Sequence, residues 1–392
     1  MKKLLLTHCS HSEIPLITSA KNLGWYVIAT SDSQNAIGYK FCDENIVGDF
    51  FDGEFICKLA KDFEVDAIVS GCEDSAYLSA AYACEKLNFP GHDTFENAKI
   101  IHNKMLFRKI IRDLNLPTPK FFICKTLDDV KTIKDQLEFP LIVKPVDKNS
   151  GIGCNVCYVE AEIESAFIKA KAVTEHSEII LEKYLQGSNH AANVFLQNHK
   201  VVHSFFDDEQ YYINPYLVAG ASSPSNLYHY SIENVNSQLE KIAKHLDLVD
   251  GMFHVQFIVE SDGTPFLIDP CRRIPGGLYI LFSQYASGFN VAENVIIFET
   301  GGHNLNFFGK TNRRIVAREY IMTNKSGIID KISIDESIKP KIFDRFIWAK
   351  NGDIVENPMK YKAGILFMEF ENYDQMQKTL KNFYELVRID FK

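Results

Sequence analysis

His254-Val255-Gln256-Phe257-Ile258-Val259-Glu260-Ser261-Asp262-Gly263-Thr264-Pro265-Phe266-Leu267-Ile268-Asp269-Pro270-Cys271-Arg272-Arg273 decides how the rest of the chain is read. Two runs of strand-forming residues flank Asp-Gly, a pair favoured in two-residue hairpin turns because both turn positions need a positive φ. With Asp262 and Gly263 as the loop, Ser261 faces Thr264, and counting back along both strands puts Gln256 opposite Asp269. Directly opposed side chains have Cβ atoms about 5 Å apart, so an amide oxygen and a carboxylate there can share one hard cation. Cys271, two residues on, shares their face. Without a cation, the same residues read as a turn cap at Asp269 and an edge polar residue at Gln256.

Downstream, Pro270-Cys271-Arg272-Arg273-Ile274-Pro275-Gly276-Gly277 places two guanidinium groups near this pair. Arginine suits bidentate binding of carboxylate or phosphate. Upstream, Lys144 ends a buried-looking strand, Leu141 to Val146, and the polar loop Asp147 to Gly153 follows at once. Glycines in such a loop let backbone N–H groups approach phosphate oxygens, and the lysine adds positive charge. Taken alone, a lysine at a strand end is more commonly solvated. The strand Ile179 to Leu181 running into Glu182-Lys183-Tyr184-Leu185 and Gly187 offers backbone groups to a purine edge, or is simply a strand end.

Toward the N-terminus, strand and helix periods alternate. Leu4 to Leu6 is followed by Ile14, Ile17, Ala20 and Leu23 at helical spacing, and then by a strand from Trp25 to Ala29. A helix at Phe55 to Phe63, a strand at Ala67 to Ser70 and a helix at Ser75 to Leu87 continue the pattern, which predicts a doubly wound parallel sheet. From Asn103 a helix runs through Leu114, Pro117 and Pro119 break the chain, and a strand follows at Phe121 to Cys124. A hairpin is predicted at His190 to Leu196 and Lys200 to Phe206, turning at Asn198-His199, and then a helix with Val235, Leu239, Ile242 and Leu246 as its stripe. The last eighty residues read as a cap of antiparallel sheet, with strands at Arg314 to Met322 and Ala363 to Glu369 and a helix at Tyr373 to Leu386. The expected units are 1–100, 101–186, 187–300 and 301–392.

At 392 residues the chain is too long for one ordinary domain. Acidic residues outnumber basic ones 51 to 42 with no basic stripe, which excludes nucleic acid as a partner. No apolar stretch approaches the roughly 18 residues of a membrane span. Nine scattered cysteines, with Cys154 and Cys157 forming a single C-x-x-C, point to reduced thiols and a cytoplasmic setting.

Taken in order, several segments resemble the ATP-grasp superfamily, in its carboxylate-amine ligase and carbamoyl phosphate synthetase-like branch. They are Asn103-Lys104, Pro140 to Pro145, Ser150 to Gly153, Glu182 to Gly187, Val255-Gln256-Phe257 and Ile268 to Arg273. Cys42-Asp43-Glu44, Gly71-Cys72-Glu73-Asp74 and Phe89-Pro90-Gly91 resemble the domain that precedes it. The resemblance implies an α/β chain with an N-terminal doubly wound parallel-sheet domain. A two-part ATP-grasp fold follows, with a small α+β lid and a larger antiparallel-sheet domain, and then a C-terminal α+β cap.

It also implies an ATP-dependent ligase that uses Mg²⁺ or Mn²⁺. Such an enzyme activates a small carboxylate as an acyl phosphate, couples it to an amine or thiol, and releases ADP and phosphate; a homodimer is plausible. Lys104 and Lys144 would contact ATP phosphates, with Ser150, Gly151 and Gly153 in the lid loop. Glu182, Lys183, Tyr184 and Leu185 would hold adenine. Arg273 would meet the reacting carboxylate, with Lys144 also catalytic, and Gln256, Asp269 and Cys271 would occupy the metal positions. Gln256 resembles the carbamoyl phosphate synthetase variant of the first metal position, where many relatives have Glu; Asp269 stands for the usual Glu and Cys271 for Asn, Asn189 lies near where relatives carry a ribose-binding Glu, and the pair Arg272-Arg273 stands where one arginine commonly follows proline. A neutral thiol is a poor Mg²⁺ ligand. Two alternatives accompany this reading: a catalytically impaired ATP-binding protein, and a bicarbonate-activating enzyme.

Overall fold

The computed structural model describes residues 1–148, 151–306 and 314–392. Leu4, Leu5 and Leu6 are all buried, as a strand covered on both faces requires. That strand, β1 (Lys3–Thr7), lies inside a parallel sheet with β2 (Tyr26–Ser31), β3 (Glu44–Val47) and β4 (Ala67–Ser70), in the order β3-β2-β1-β4. Helices α1 (Ile14–Asn22) and α2 (Gly53–Asp62) are crossovers, and α3 (Asp74–Leu87) follows β4. Asn88 ends α3 in the left-handed conformation, at φ 56°.

The helix expected from Asn103 is preceded by a second one, because Asn103 breaks the run. Its backbone is extended and its side chain accepts from the N–H groups of Met105 and Leu106. The result is α4 (Phe95–His102) and α5 (Lys104–Asp113), with Lys104 in the first turn of α5. Next comes a small antiparallel sheet in the order β5-β8-β6-β7, built from β5 (Phe121–Cys124), β6 (Leu141–Pro145), β7 (Asn155–Cys157) and β8 (Ile179–Lys183). Helices α6 (Leu127–Ile133) and α7 (Ile163–Lys171) pack on it.

The large sheet begins with β9 (Ser188–Gln197), β10 (Lys200–Tyr211), β11 (Val218–Ser223), β12 (Gly251–Val259), β13 (Pro265–Cys271) and β14 (Ile315–Ile321). Helix α8 (His229–Leu246) covers one face through Val235, Leu239 and Ile242. Helices α9 (Tyr279–Ser287) and α10 (Val291–Glu299) lie on the other side, and α10 also meets the N-terminal sheet. The C-terminal segment supplies β15 (Gly327–Ile334), β16 (Ile342–Ile347), β17 (Ile354–Val355), β18 (Gly364–Phe370) and β19 (Val387–Phe391), with α11 (Tyr373–Lys381) and α12 (Phe383–Leu386). It divides where a cap was expected. β14, β18 and β16 extend the large sheet to β13-β12-β9-β10-β11-β14-β18-β16, and β17-β15-β19 form a separate sheet.

The β12–β13 hairpin corrects one detail and keeps another. Glu260 pairs with Thr264, donating to its carbonyl at 3.2 Å, so the loop has three residues rather than two, with Gly263 at φ 85°. From Val259 opposite Pro265 to Phe257 opposite Leu267 the pairing is therefore one residue out of the expected register. A bulge between Gln256 and Phe257 then adds Ile268 and restores it, so Gln256 does face Asp269. The longer loop and the bulge cancel. The bulge also directs Ile268 and Asp269 to one cavity, which alternation along a regular strand would not do.

Candidate active site

A cavity of about 600 Å³ opens between the small sheet, the large sheet and the start of α3. Lys104, Lys144, Gly151, Glu182, Lys183, Tyr184, Leu185, Asn189, Gln256, Asp269, Cys271 and Arg273 all line it. Ser150 lies outside the described residues. Gly153 sits in the same loop at φ 76°, and Gly151, at φ 72°, lies where a Cβ would come 2.3 Å from the Tyr216 side chain. Both positions need glycine.

At the cation position, Asp269 Oδ1 lies 3.0 Å from Lys104 Nζ. Gln256 Nε2 donates to Glu209 Oε1 at 2.6 Å, and the Tyr211 hydroxyl donates to Glu209 Oε2 at 2.8 Å. Burial pushes the Glu209 carboxyl up to about 7. Burial also pushes the Cys271 thiol up to about 12, and its Sγ donates to the Arg273 carbonyl at 3.5 Å. Cys271 is therefore a neutral thiol. The amide oxygen of Gln256 and the carboxylate of Asp269 form an all-oxygen pair that fits Mg²⁺ or Mn²⁺, and Cys271 adds nothing to it.

Lys144 is buried against the Glu182 carboxylate, and Arg108 Nε reaches the same group at 3.0 Å. Burial alone would raise the Glu182 pKa; Arg108 and Lys144 outweigh it and hold the group at about 2. For Lys144, burial is the larger influence and its pKa falls. The Glu182 side chain is thus engaged by cations rather than turned to a purine. The Lys183 ammonium points outward toward Glu260, 3.6 Å away. Backbone pairing fixes the segment between them: Lys183 N donates to Lys120 O at 3.0 Å and Tyr184 N to Pro140 O at 2.9 Å.

Of the two expected guanidinium groups, only Arg273 faces the cavity. Arg272 is buried against Asp93, with Nε to Oδ2 at 2.8 Å, and donates to the Met252 and Val249 carbonyls. Arg273 is held by Asp74, with Nη2 to Oδ1 at 2.7 Å, and Asp74 also meets His102 Nδ1 at 3.0 Å.

Sequence reasoning missed several lining residues: Glu209, Asp74 in its role at Arg273, His254, Arg318 and Lys362. Arg318 is 3% exposed and donates from Nη1 to the Gly277 carbonyl at 2.9 Å. Lys362 Nζ lies 3.5 Å from the centre of the Tyr320 ring, and burial, then Arg318, lowers its pKa to about 7. Burial, then Arg273 and Arg318, lowers His254 to about 3, so its imidazole is neutral. Tyr211 closes β10, and Gly220 to Ser223 lie in β11.

This geometry has counterparts among known proteins. A family described as "D-ala D-ala ligase C-terminus" matches residues 110–287. An L-amino acid ligase from Bacillus licheniformis superimposes with a TM-score of 0.85 at 21% identity, covering 100% of this chain and 99% of that one. The formate-dependent phosphoribosylglycinamide formyltransferase of Bacteroides fragilis is 30% identical over 172 residues, 43% of each chain. The chain thus spans somewhat under half the length of that relative. The Methanocaldococcus jannaschii enzyme of the same name is 25% identical over 301 residues, 75% of this chain and 76% of its own length. The small sheet stands over the large one, and the cavity lies between them.

Proposed function

We propose that this ATP-grasp chain is a ligase that phosphorylates a small carboxylate with ATP and a divalent cation, and then joins the acyl group to an amine. One observation carries the proposal: Gln256 and Asp269 are opposed across β12 and β13 and face the same cavity as Lys104, Lys144 and Arg273. A divalent cation bound there would polarise phosphoryl oxygens of the nucleotide.

Phosphoryl transfer asks little covalent chemistry of a protein; it needs alignment and neutralised charge. Lys104, which lies 3.0 Å from Asp269, and Lys144 would supply positive charge to the phosphates. Arg273, fixed by Asp74, orients the carboxylate for in-line attack. The loop carrying Gly151 and Gly153 covers the reacting groups and keeps water from the acyl phosphate. Backbone groups of Lys183 to Leu185 take the adenine edge, with Ile142 and Ile268 lining its slot. The nine free cysteines fit a reducing cytoplasm.

The test is incubation with ATP, Mg²⁺, hydroxylamine and a broad panel of carboxylic acids. Hydroxamate with at least one acid, dependent on Asp269, is expected. ATP binding with no hydroxamate across the panel overturns the ligase assignment and favours a binding protein of the same fold.

A further inference from the structure

Gln256 binds a cation only through its amide oxygen, because the NH₂ end offers donors and no acceptor. The two ends of an amide are alike in size, so an uncommitted glutamine turns either way. Glu209 removes that freedom: its Oε1 takes the Gln256 NH₂ at 2.6 Å, and its Oε2 takes the Tyr211 hydroxyl at 2.8 Å. Both carboxylate oxygens act as acceptors, and an amide oxygen turned toward them is repelled. The bond spans β9, which lies between β10 and β12, and Ala191, the β9 residue beside Gln256, leaves room for it.

On the basis of the cation site proposed above, we propose that Glu209 is a positioning residue that fixes the Gln256 amide with its oxygen on the cation side. It also supplies, one residue removed, the negative charge that a Glu at position 256 would bring directly. With Asp269 as the one carboxylate of the pair and Gln256 an amide, the two opposed donors carry one negative charge. A second carboxylate behind the amide strengthens the hold on a dication through its field and by fixing the donor.

The measurement is Mn²⁺ binding by electron paramagnetic resonance, on the whole chain with a non-hydrolysable ATP analogue bound. Glu209→Met keeps the length of the side chain and removes the acceptor; Mn²⁺ affinity is expected to fall about 10- to 100-fold, as it does when partners of metal ligands are removed. The exchanged pair, Glu209→Gln with Gln256→Glu, keeps one amide and one carboxylate and moves the charge onto the ligand. It is expected to restore wild-type affinity, and it carries the test if Glu209→Met fails to fold. Unchanged affinity in Glu209→Met, or an exchanged pair that binds Mn²⁺ no better than the unpaired variant, overturns the assignment. If wild type still forms hydroxamate in that case, the ligase chemistry stands without it. A wild-type chain that takes up no Mn²⁺ overturns both.

Discussion

Lys362 has electrostatics far from ordinary. It lies in the cavity beside Arg318, and burial first, then that guanidinium, brings its pKa from 10.5 to about 7. A lysine with a depressed folded pKa destabilises the protein fully below about 7, and the penalty fades as pH rises toward 10.5, because in that window the unfolded chain holds more protons. Lys362→Met keeps the apolar stem and removes the charge. After allowance for solvent screening and the lost contact with the Tyr320 ring, the variant is expected to be more stable at pH 7 by about 1–2 kcal/mol. Urea unfolding across the window should show the gap closing as the pH rises. An equal gap at both ends contradicts the electrostatic account and leaves packing as the cause.

Among the elements, the β12–β13 hairpin shows how a correct pairing can follow from an incomplete rule. Asp-Gly does mark the turn, but the three-residue loop and the Ile268 bulge each shift register by one, and their cancellation is invisible in the residue pattern. Lys144, Asp269 and Arg273 were legible because each closes a strand or follows one at a recognisable motif. Glu209 was not, because β10 was expected to stop at Phe206, before the polar run Asp207-Asp208-Glu209-Gln210. The strand continues because each polar side chain finds a partner across it: Asp207 the Tyr279 hydroxyl, Asp208 His190, Glu209 Gln256 and Gln210 Ser222. β11 escaped detection for a related reason: its Gly220 sits where a Cβ would come 2.1 Å from the Glu319 carboxylate, so the strand shows little apolar pattern. The turn before α9 is equally tight. Gly277 has φ 68°, and a Cβ there would lie 1.7 Å from the Tyr320 hydroxyl. Gly277→Ala is therefore expected to cost more than about 1 kcal/mol in thermal unfolding. It should also disturb Arg318, which bonds the Gly277 carbonyl. A variant as stable as wild type contradicts the close approach.

At the scale of the whole molecule, the N-terminal sheet is joined to the elements around the cavity through buried polar contacts. Glu299 of α10 accepts from Ser70 N and Ser70 Oγ at the end of β4, and Ser12 Oγ accepts from Gly277 N at 2.8 Å. The contact that bears on chemistry is Asp74 to Arg273. Asp74 opens α3, and Arg273 follows β13, so the guanidinium expected to orient the carboxylate is aimed by a residue next to the N-terminal sheet. Asp74 also acts electrostatically on Lys104. Asp74→Asn keeps the size of the side chain and removes the charge that holds Arg273. A small displacement of an orienting group can cost about 100-fold in rate, so turnover is expected to fall by that order. ATP affinity should change less than turnover. Calorimetric titration with ATP and an assay of phosphate release on one preparation separate the two effects. If ATP affinity and turnover fall together, Asp74 supports the cavity as a whole; if neither changes, Arg273 is held in place by other contacts and the N-terminal sheet does not aim it.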